Sequence, residues 1–312
     1  MKARHAERDQ CNIYVFPVKE RQLAVSMATK FMVLEGCSSS ELLIVVRVDS
    51  PYVDKLAPDK LLVQELFHRL KLYGISTYLY ISTSNDILNT AQTLYGLPTV
   101  DASNFKVKYL RLLDKTGRES IVKAFEEVLE CSFIVVRPRT DDVFVFAGAL
   151  VHHVLSALHP EDLGKFFGSI GVAHVNTFLM TRYLRPRALL VDAEYVLEGD
   201  APYLGKERKW GYLFLSRDHV AIDIAILRFL GMEVKEIPYL EIITKICGRP
   251  IYYNATLCGE KPKELRITKH KFSRNVIKYG GLEVLLSKLE EHFGNATLCK
   301  PLINHVTSIN AR

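Results

Sequence analysis

Two aspartates on one apolar segment and a set of arginines at the ends of apolar runs are the side chains best placed to do chemistry. Asp218 stands directly before the run Val220–Leu227, and Asp223 lies inside it. At 100° per residue Val220, Asp223, Ile224 and Leu227 share one helical face, and Ala221, Ile222, Ala225 and Ile226 make the remaining faces apolar as well. Such a helix is predicted to be buried, and a buried carboxylate requires an arginine, backbone donors or a ligand. Asp223 and Asp218 are therefore the candidate catalytic residues, as general base or metal-binding carboxylates. The structural alternatives are a salt bridge from Asp223 to a core-facing arginine and an N-cap role for Asp218.

Arg47-Val-Asp49 ends the apolar run Leu42–Val48, and Arg137-Pro-Arg-Thr-Asp-Asp142 follows the run Phe133–Val136. The carboxyl end of a strand before a helix is where open α/β sheets bind ligands. If the two strands are neighbours, Arg47, Asp49, Arg137 and Arg139 line one crevice able to grip a phosphate or carboxylate. Thr140 or Asp141 is then the cap of the following helix. Gly199 and Gly205 flank a proline loop, where glycine permits close backbone approach to an anion. A plain connection between strands explains that loop equally well, and no Gly-Lys-Ser/Thr follows it. His152 and His153 are adjacent and point about 100° apart on a helix, which suits core or interface histidines better than one metal ion. No G-x-S-x-G, H-E-x-x-H or G-x-G-x-x-G is present, so no metal site or known cofactor is assigned.

The elements that must position these residues alternate between strand-length apolar runs and helical patterns. The segments Asn12–Val18, Leu42–Val48, Ser76–Ser82, Val107–Leu112 and Phe133–Val136 read as strands. Lys19–Leu34, Lys60–Tyr73, Asp86–Tyr95, Ser120–Glu130 and Asp142–Leu158 read as helices, and a last amphipathic helix is predicted over Gly281–Phe293. The order predicts an α/β protein with a doubly wound, mostly parallel sheet, divisible into two α/β lobes, and a small C-terminal helical extension. The expected divisions are 1–136, 137–250 and 251–312.

Composition limits the classes further. The 312 residues carry 41 basic and 35 acidic side chains, a net charge of +6, too mild for a dedicated nucleic-acid binder. Hydrophobic content of 48% and a mean hydropathy of +0.07 predict a well-filled core rather than disorder. The six cysteines are scattered without C-x-x-C, which argues against a zinc ribbon or a cluster held by one segment. The N-terminus MKARHAERDQCN is polar, and the longest nearly apolar run, Val143–Leu158, is shorter than a bilayer span. No membrane association, a cytoplasmic location and reduced thiols are expected.

The segment Leu190–Ile246 resembles the domain-of-unknown-function family 362. The resemblance is carried by Val191-Asp192, Glu198-Gly199 through Gly205, Asp218-His-Val-Ala-Ile-Asp223 and Leu230-Gly231. Upstream, Arg47-Val-Asp49 stands where the family has Lys-Pro-Asn, Pro58-Asp59 resembles its Thr-Asp-Pro, and Val135–Thr140 resembles its Val-Pro-Lys-Leu-Lys-Thr-His. Leu158–Gly168 is similar to its Lys-Asn-Leu-Phe-Gly stretch, and in all about two thirds of the chain is covered. The family in turn resembles lactate racemases that use a nickel-pincer cofactor through a His and a Lys. Here Asp141 replaces that histidine, the lysine is replaced around His152 and His153, and the ferredoxin cysteines of some members are missing. The resemblance therefore implies the scaffold and an anion site.

The first functional expectation is a small anionic or phosphorylated ligand held by Arg47, Arg137 and Arg139. The alternative is a non-catalytic protein whose Lys261–Lys271 and Arg182–Arg187 contact RNA, a ribosome or a protein. A third is a redox or metal protein using cysteines that folding brings together.

Overall fold

The computed structural model describes residues 11–34, 41–48, 53–83, 85–130, 132–202, 204–247 and 255–269. The candidate Asp49 and the predicted helix Gly281–Phe293 lie outside these residues. Among them, nine strands form one sheet and two more form a separate hairpin. The strands are β1 (Ile13–Pro17), β2 (Glu41–Arg47), β3 (Ser76–Ser82), β4 (Val107–Leu113), β5 (Glu119–Phe125), β6 (Ser132–Val136), β7 (Arg139–Asp141), β8 (Val145–Ala147), β9 (Ala188–Glu198), β10 (Lys206–Ser216) and β11 (Leu257–Gly259). The helices are α1 (Arg21–Leu34), α2 (Val53–Leu56), α3 (Lys60–Leu72), α4 (Asn85–Tyr95), α5 (Glu126–Glu130), α6 (Ala149–Ala157), α7 (Leu163–Phe167), α8 (Ile170–Met180), α9 (His219–Phe229) and α10 (Pro238–Cys247).

The fold is α/β around a mixed, mostly parallel sheet in the order β11-β1-β10-β9-β6-β2-β3, with β7 and β8 off that path. Strands β3, β2, β6 and β9 run parallel, and β10 pairs antiparallel with both β9 and β1. The parallel strands are buried on both faces, which is why ELLIVVR and SFIVV read as continuous apolar runs. Alternation splits their side chains between two cores. Leu42, Ile44 and Val46 pack in the core that also contains residues of α1, α3 and α4, whereas Leu43 and Val45 pack in the core of α5, α6, α8, α9 and α10.

Strand β1 lies next to β10, and β6 lies next to β9, so the division after residue 136 falls within one continuous sheet. The chain leaves β2 for β3 on one side and later places β6 on the other side of β2. The carboxyl ends of β2 and β6 thus form a topological switch point. Two helices expected from sequence are corrected. Glu119–Phe125 is strand β5, because Ile121 and Lys123 face outward while Val122 and Ala124 are buried, a period of two. Val145–Ala147 is strand β8, and the helix begins only at Ala149, after Gly148. Uniform apolarity across Val143–Leu158 hid that break from a reading based on periodicity.

The end of the described chain is tied back along its length. Trp210 Nε1 donates to the Lys263 carbonyl at 2.7 Å, Leu265 N to the Phe229 carbonyl at 2.7 Å, and Thr268 N to Glu198 Oε2 at 2.8 Å. Lys269 pairs with Glu236. The described part of the basic stretch is thereby a strap on the core. No helix among the described residues is long and apolar enough to cross a membrane.

Cys11 and Cys258, at a sequence separation of 247, form a disulfide that joins the segment just before β1 to β11. This corrects the expectation of reduced thiols, since cysteines far apart in sequence meet where β11 pairs in parallel with β1. Cys258→Ser is expected to lower unfolding stability in denaturant by about 2–4 kcal/mol under non-reducing conditions. Non-reducing peptide mapping should join the Cys11 and Cys258 peptides, and finding both as free thiols would contradict the pairing.

Candidate functional site

The two arginines of the switch point leave the sheet on opposite faces. Val46 is in register with Val135, so Arg47 is level with Val136 and Arg137 lies one residue beyond. With side chains alternating, that offset sends Arg47 to the α6 side and Arg137 to the α1/α3 side. The neighbouring strands expected from sequence are present, yet the one-residue offset keeps the two side chains off a common wall.

Arg137 is bound by carboxylates. Its Nη2 lies 3.2 Å from Oδ2 of Asp192, which is fully buried on β9, and its Nη1 donates to the Lys55 carbonyl at 3.0 Å. Glu207 of β10 lies 3.7 Å from the same Nη1. The Asp192 carboxylate also accepts from Asp59 N at 2.7 Å and from Glu194 N at 3.1 Å. Asp59 in turn caps α3 through Leu62 N at 2.9 Å and pairs with Arg21 of α1 at 3.1 Å. The Arg137–Asp192 pair therefore clamps α2 and the start of α3 onto the sheet. Asp192 was named from sequence only as part of the Val191-Asp192 motif and not as a site residue, because it reads as one polar residue in the apolar run LLVDA.

On the other face Arg47 donates through Nη1 to Ser82 Oγ at 2.9 Å and to the Leu155 carbonyl of α6 at 3.1 Å. Ser82 is the last residue of β3, so two adjacent parallel strands end on this contact. Arg139 is buried further along α6. Its Nη1 lies 3.3 Å from His152 Nε2 and its Nη2 lies 3.4 Å from Asp141 Oδ2. Because arginine only donates, His152 Nε2 is the accepting nitrogen. Burial pushes the Asp141 carboxyl up, against the downward pull of Arg139. Asp141 Oδ1 accepts from Val143 N and Phe144 N and closes the turn between β7 and β8, so neither it nor Thr140 caps α6.

The cap of α6 is Asp223. Its Oδ1 accepts from Ala149 N at 2.7 Å and its Oδ2 from Leu150 N at 3.1 Å, across 74 and 73 residues of sequence. Of the three partners that burial demanded, backbone donors are the ones present. A β-carbon on Gly148 would stand 2.2 Å from Asp223 Oδ1, so glycine is what lets the carboxylate reach the helix end. Burial pushes the Asp223 carboxyl up to about 7 despite these two donors. Asp218 is the N-cap of α9, accepting from Val220 N at 2.8 Å and Ala221 N at 2.9 Å. Both candidate catalytic carboxylates are thus on helix amino ends.

The glycine loop is connective. Gly199 has φ +80°, donates its N–H to the Thr268 carbonyl at 2.8 Å and accepts from Thr140 Oγ1 at 2.8 Å. A β-carbon on Gly205 would stand 2.8 Å from Leu197 Cγ, so that glycine makes room for packing. His153 and His219 stack with centroids 4.9 Å apart, and His153 Nδ1 lies 2.7 Å from His219 Nε2. The other ring nitrogen of His153 donates to the Val128 carbonyl at 2.7 Å, which leaves Nδ1 to accept. Burial pushes His153 down to about 4, so it is neutral at physiological pH. Among the described residues no three His, Cys, Asp or Glu side chains converge as a metal-holding group.

A cavity of about 460 Å³ opens at the amino end of the sheet, far from the switch point, lined by Glu41, Glu126, Glu130, Tyr78 and Phe105 among others. Its acidic wall does not suit the anionic ligand expected from sequence.

No family model matches the chain, and no curated protein matches it. Among solved structures it is similar to a structural-genomics protein from Thermotoga maritima at 12% identity and a TM-score of 0.38. The likeness covers 61% of this chain and 54% of that one, so the chain spans about half the length of that protein. At that TM-score it carries no argument.

Two outcomes follow from the Asp223 cap. A carboxyl raised in the folded state binds more protons folded than unfolded between about pH 4 and 7, so this group's contribution to stability falls as pH rises through that window. Unfolding titrations of wild type and Asp223→Asn should show the wild type losing ground to the variant over that range. A gain instead would mean that the helix amino end outweighs burial. Gly148→Ala should destabilise by about 2 kcal/mol or more through overlap with Asp223 and Phe146, with an unchanged melting temperature contradicting the close approach.

Proposed function

We propose that this chain binds a small anionic or phosphorylated molecule at the rim between β2 and β6, with Arg47 supplying the charge. The observation that carries the reading is the topology: β2 and β6 are neighbouring parallel strands whose connections depart in opposite directions, with Arg47 ending β2 and Arg137 directly following β6. Open α/β sheets bind ligands in the crevice outside the carboxyl ends at such a point. The contacts of Arg47 with the Ser82 hydroxyl and the Leu155 carbonyl aim a guanidinium at the β3 side of that rim.

The roles of the other candidates change within this reading. Arg137 orients the rim by fixing α2 through the Lys55 carbonyl, and its charge is matched by Asp192. Arg139 serves α6 and the β7–β8 turn. Asp218 and Asp223 hold helices, so no catalytic role is assigned to them. The likeness of Leu190–Ile246 to the domain-of-unknown-function family 362 is retained as a proposal of divergent membership, supported by the Val191-Asp192 and Asp218–Asp223 motifs.

Thermal unfolding of the whole chain against inorganic phosphate, sulfate, small carboxylates and nucleoside phosphates tests this reading. A ligand at one hundred times its dissociation constant should add about 2.7 kcal/mol of stability. Arg47→Gln should abolish that gain, read as the ligand-induced shift of the variant against its own unliganded stability. Arg137→Met should lower the unliganded stability by about 3–5 kcal/mol by leaving Asp192 buried and unmatched. Stabilisation unaffected by Arg47→Gln, or no stabilisation by any anion, would refute the site.

A further inference from the structure

The hairpin β4–β5 stands apart from the main sheet and, among the described residues, has one covered edge and one open edge. On the β5 side, the even-numbered residues of β4 and its flanks make the ladder: Asp114 N donates to the Arg118 carbonyl at 2.8 Å, and Glu126 N to the Lys106 carbonyl at 2.9 Å. Antiparallel strands alternate the direction of their backbone groups, so Val107, Tyr109, Arg111 and Leu113 turn theirs away from β5. Leu113 is already occupied on that side. Asn176 of α8 donates Nδ2 to its carbonyl at 2.9 Å and accepts from its N–H at 2.8 Å. Val107, Tyr109 and Arg111 have no backbone partner on that side among the described residues. The far edge of β5 is covered instead, since His159 N donates to the Lys123 carbonyl and Lys123 N to Asp162 Oδ2.

An open edge invites pairing, and folded proteins usually protect one with proline, a bulge or an outward lysine. The open positions here are Val107, Tyr109 and Arg111, with Val107 41% and Tyr109 68% exposed. Lys108 points to the opposite face and pairs with Glu130. Ile121, also exposed, extends the same apolar face onto β5.

We propose that this edge is the contact between two copies of the chain, joined by antiparallel β4 strands about a two-fold axis at Tyr109. The open stretch is self-complementary. Three outward residues centred on Tyr109 place Val107 opposite Arg111 of the second copy, Tyr109 opposite Tyr109, and Arg111 opposite Val107. Six N–H···O=C bonds close, and a sheet in the order β5-β4-β4-β5 results. Charge selects the same register. The two Arg111 side chains lie four residues apart along the strands, about 13 Å, and each sits diagonally beside the facing Tyr109 ring, a favourable cation–π arrangement. A slip that centred the pair on Arg111 would oppose two guanidinium groups and require the Leu113 groups that Asn176 already holds. A slip centred on Val107 would set Tyr109 against Phe105, whose N–H the Ala102 carbonyl already holds, and Arg111 against Ser103, which lies outside the strand.

Sedimentation of the whole chain over a hundredfold concentration range tests the proposal. A dimer mass is expected, falling to the monomer in Tyr109→Lys, whose charges would meet across the axis. Ile121→Lys, on the same face but away from the edge, should leave the dimer intact. If Tyr109→Lys changes the circular dichroism spectrum, oxidative cross-linking decides. Tyr109→Cys should link to its own copy through the substituted position, as read by peptide mapping. Val107→Cys should not, because its two copies stand about 13 Å apart. A monomer at every concentration, a dimer that survives Tyr109→Lys, or a dimer in which Tyr109→Cys fails to link would each overturn the proposal. Binding of an unrelated extended peptide by a strictly monomeric chain would assign the edge to a peptide instead.

Discussion

The amino end of the buried helix α6 rests on one carboxylate, and much of one face of the sheet depends on that contact. A helix end leaves four backbone N–H groups without partners inside the helix, and α6 starts in the core, where water cannot supply them. Asp223 answers two of these groups from another helix, and Gly148 is small enough to let it in. Once α6 is anchored, its side chains and carbonyls distribute the polar contacts of that face. His152 meets Arg139, His153 meets His219, and the Leu155 carbonyl meets Arg47.

The two faces solve the burial of charge differently. Around Arg137 the solution is multiplicity: one guanidinium touches two carboxylates and a carbonyl, and Asp192 is further held by two backbone N–H groups. Around α6 the solution is neutrality. The Asp141 and Asp223 carboxyls are raised by burial and His153 is lowered by it, so these groups move toward their uncharged forms. Removing a partner on the first face strands a charge, whereas on the second it alters a proton equilibrium.

The α/β class was legible because parallel strands buried on both sides leave runs such as LLIVVRV, and because Pro58-Asp59 and Asp218 mark helix starts. Burial of Asp223 followed from helical counting alone. The identity of its partner did not, because the donors are backbone groups more than seventy residues away and carry no side-chain signature. The arginine crevice was half legible: the adjacency of β2 and β6 entered only as a condition, which the pairing meets, and the one-residue register offset that separates Arg47 from Arg137 is set by tertiary pairing. Strand β5 was misread because SIVKAFEEVLE offers a helical pattern in its second half, and the period-two half in front of it is only seven residues long.

Strand β1, the earliest described element of the chain, takes its place between β10 and β11. During synthesis it leaves the ribosome some two hundred residues before either neighbour exists. The parallel core β3-β2-β6 can assemble in order of emergence, because each of those strands meets a partner made before it or soon after it. The edge containing β1 has to wait until residues 206–216 and then 257–259 are available. The earliest of the described strands is thus among the last of them to be buried, and over that interval Ile13, Val15 and Phe16 must remain solvated, shielded by neighbouring chain or held by a chaperone.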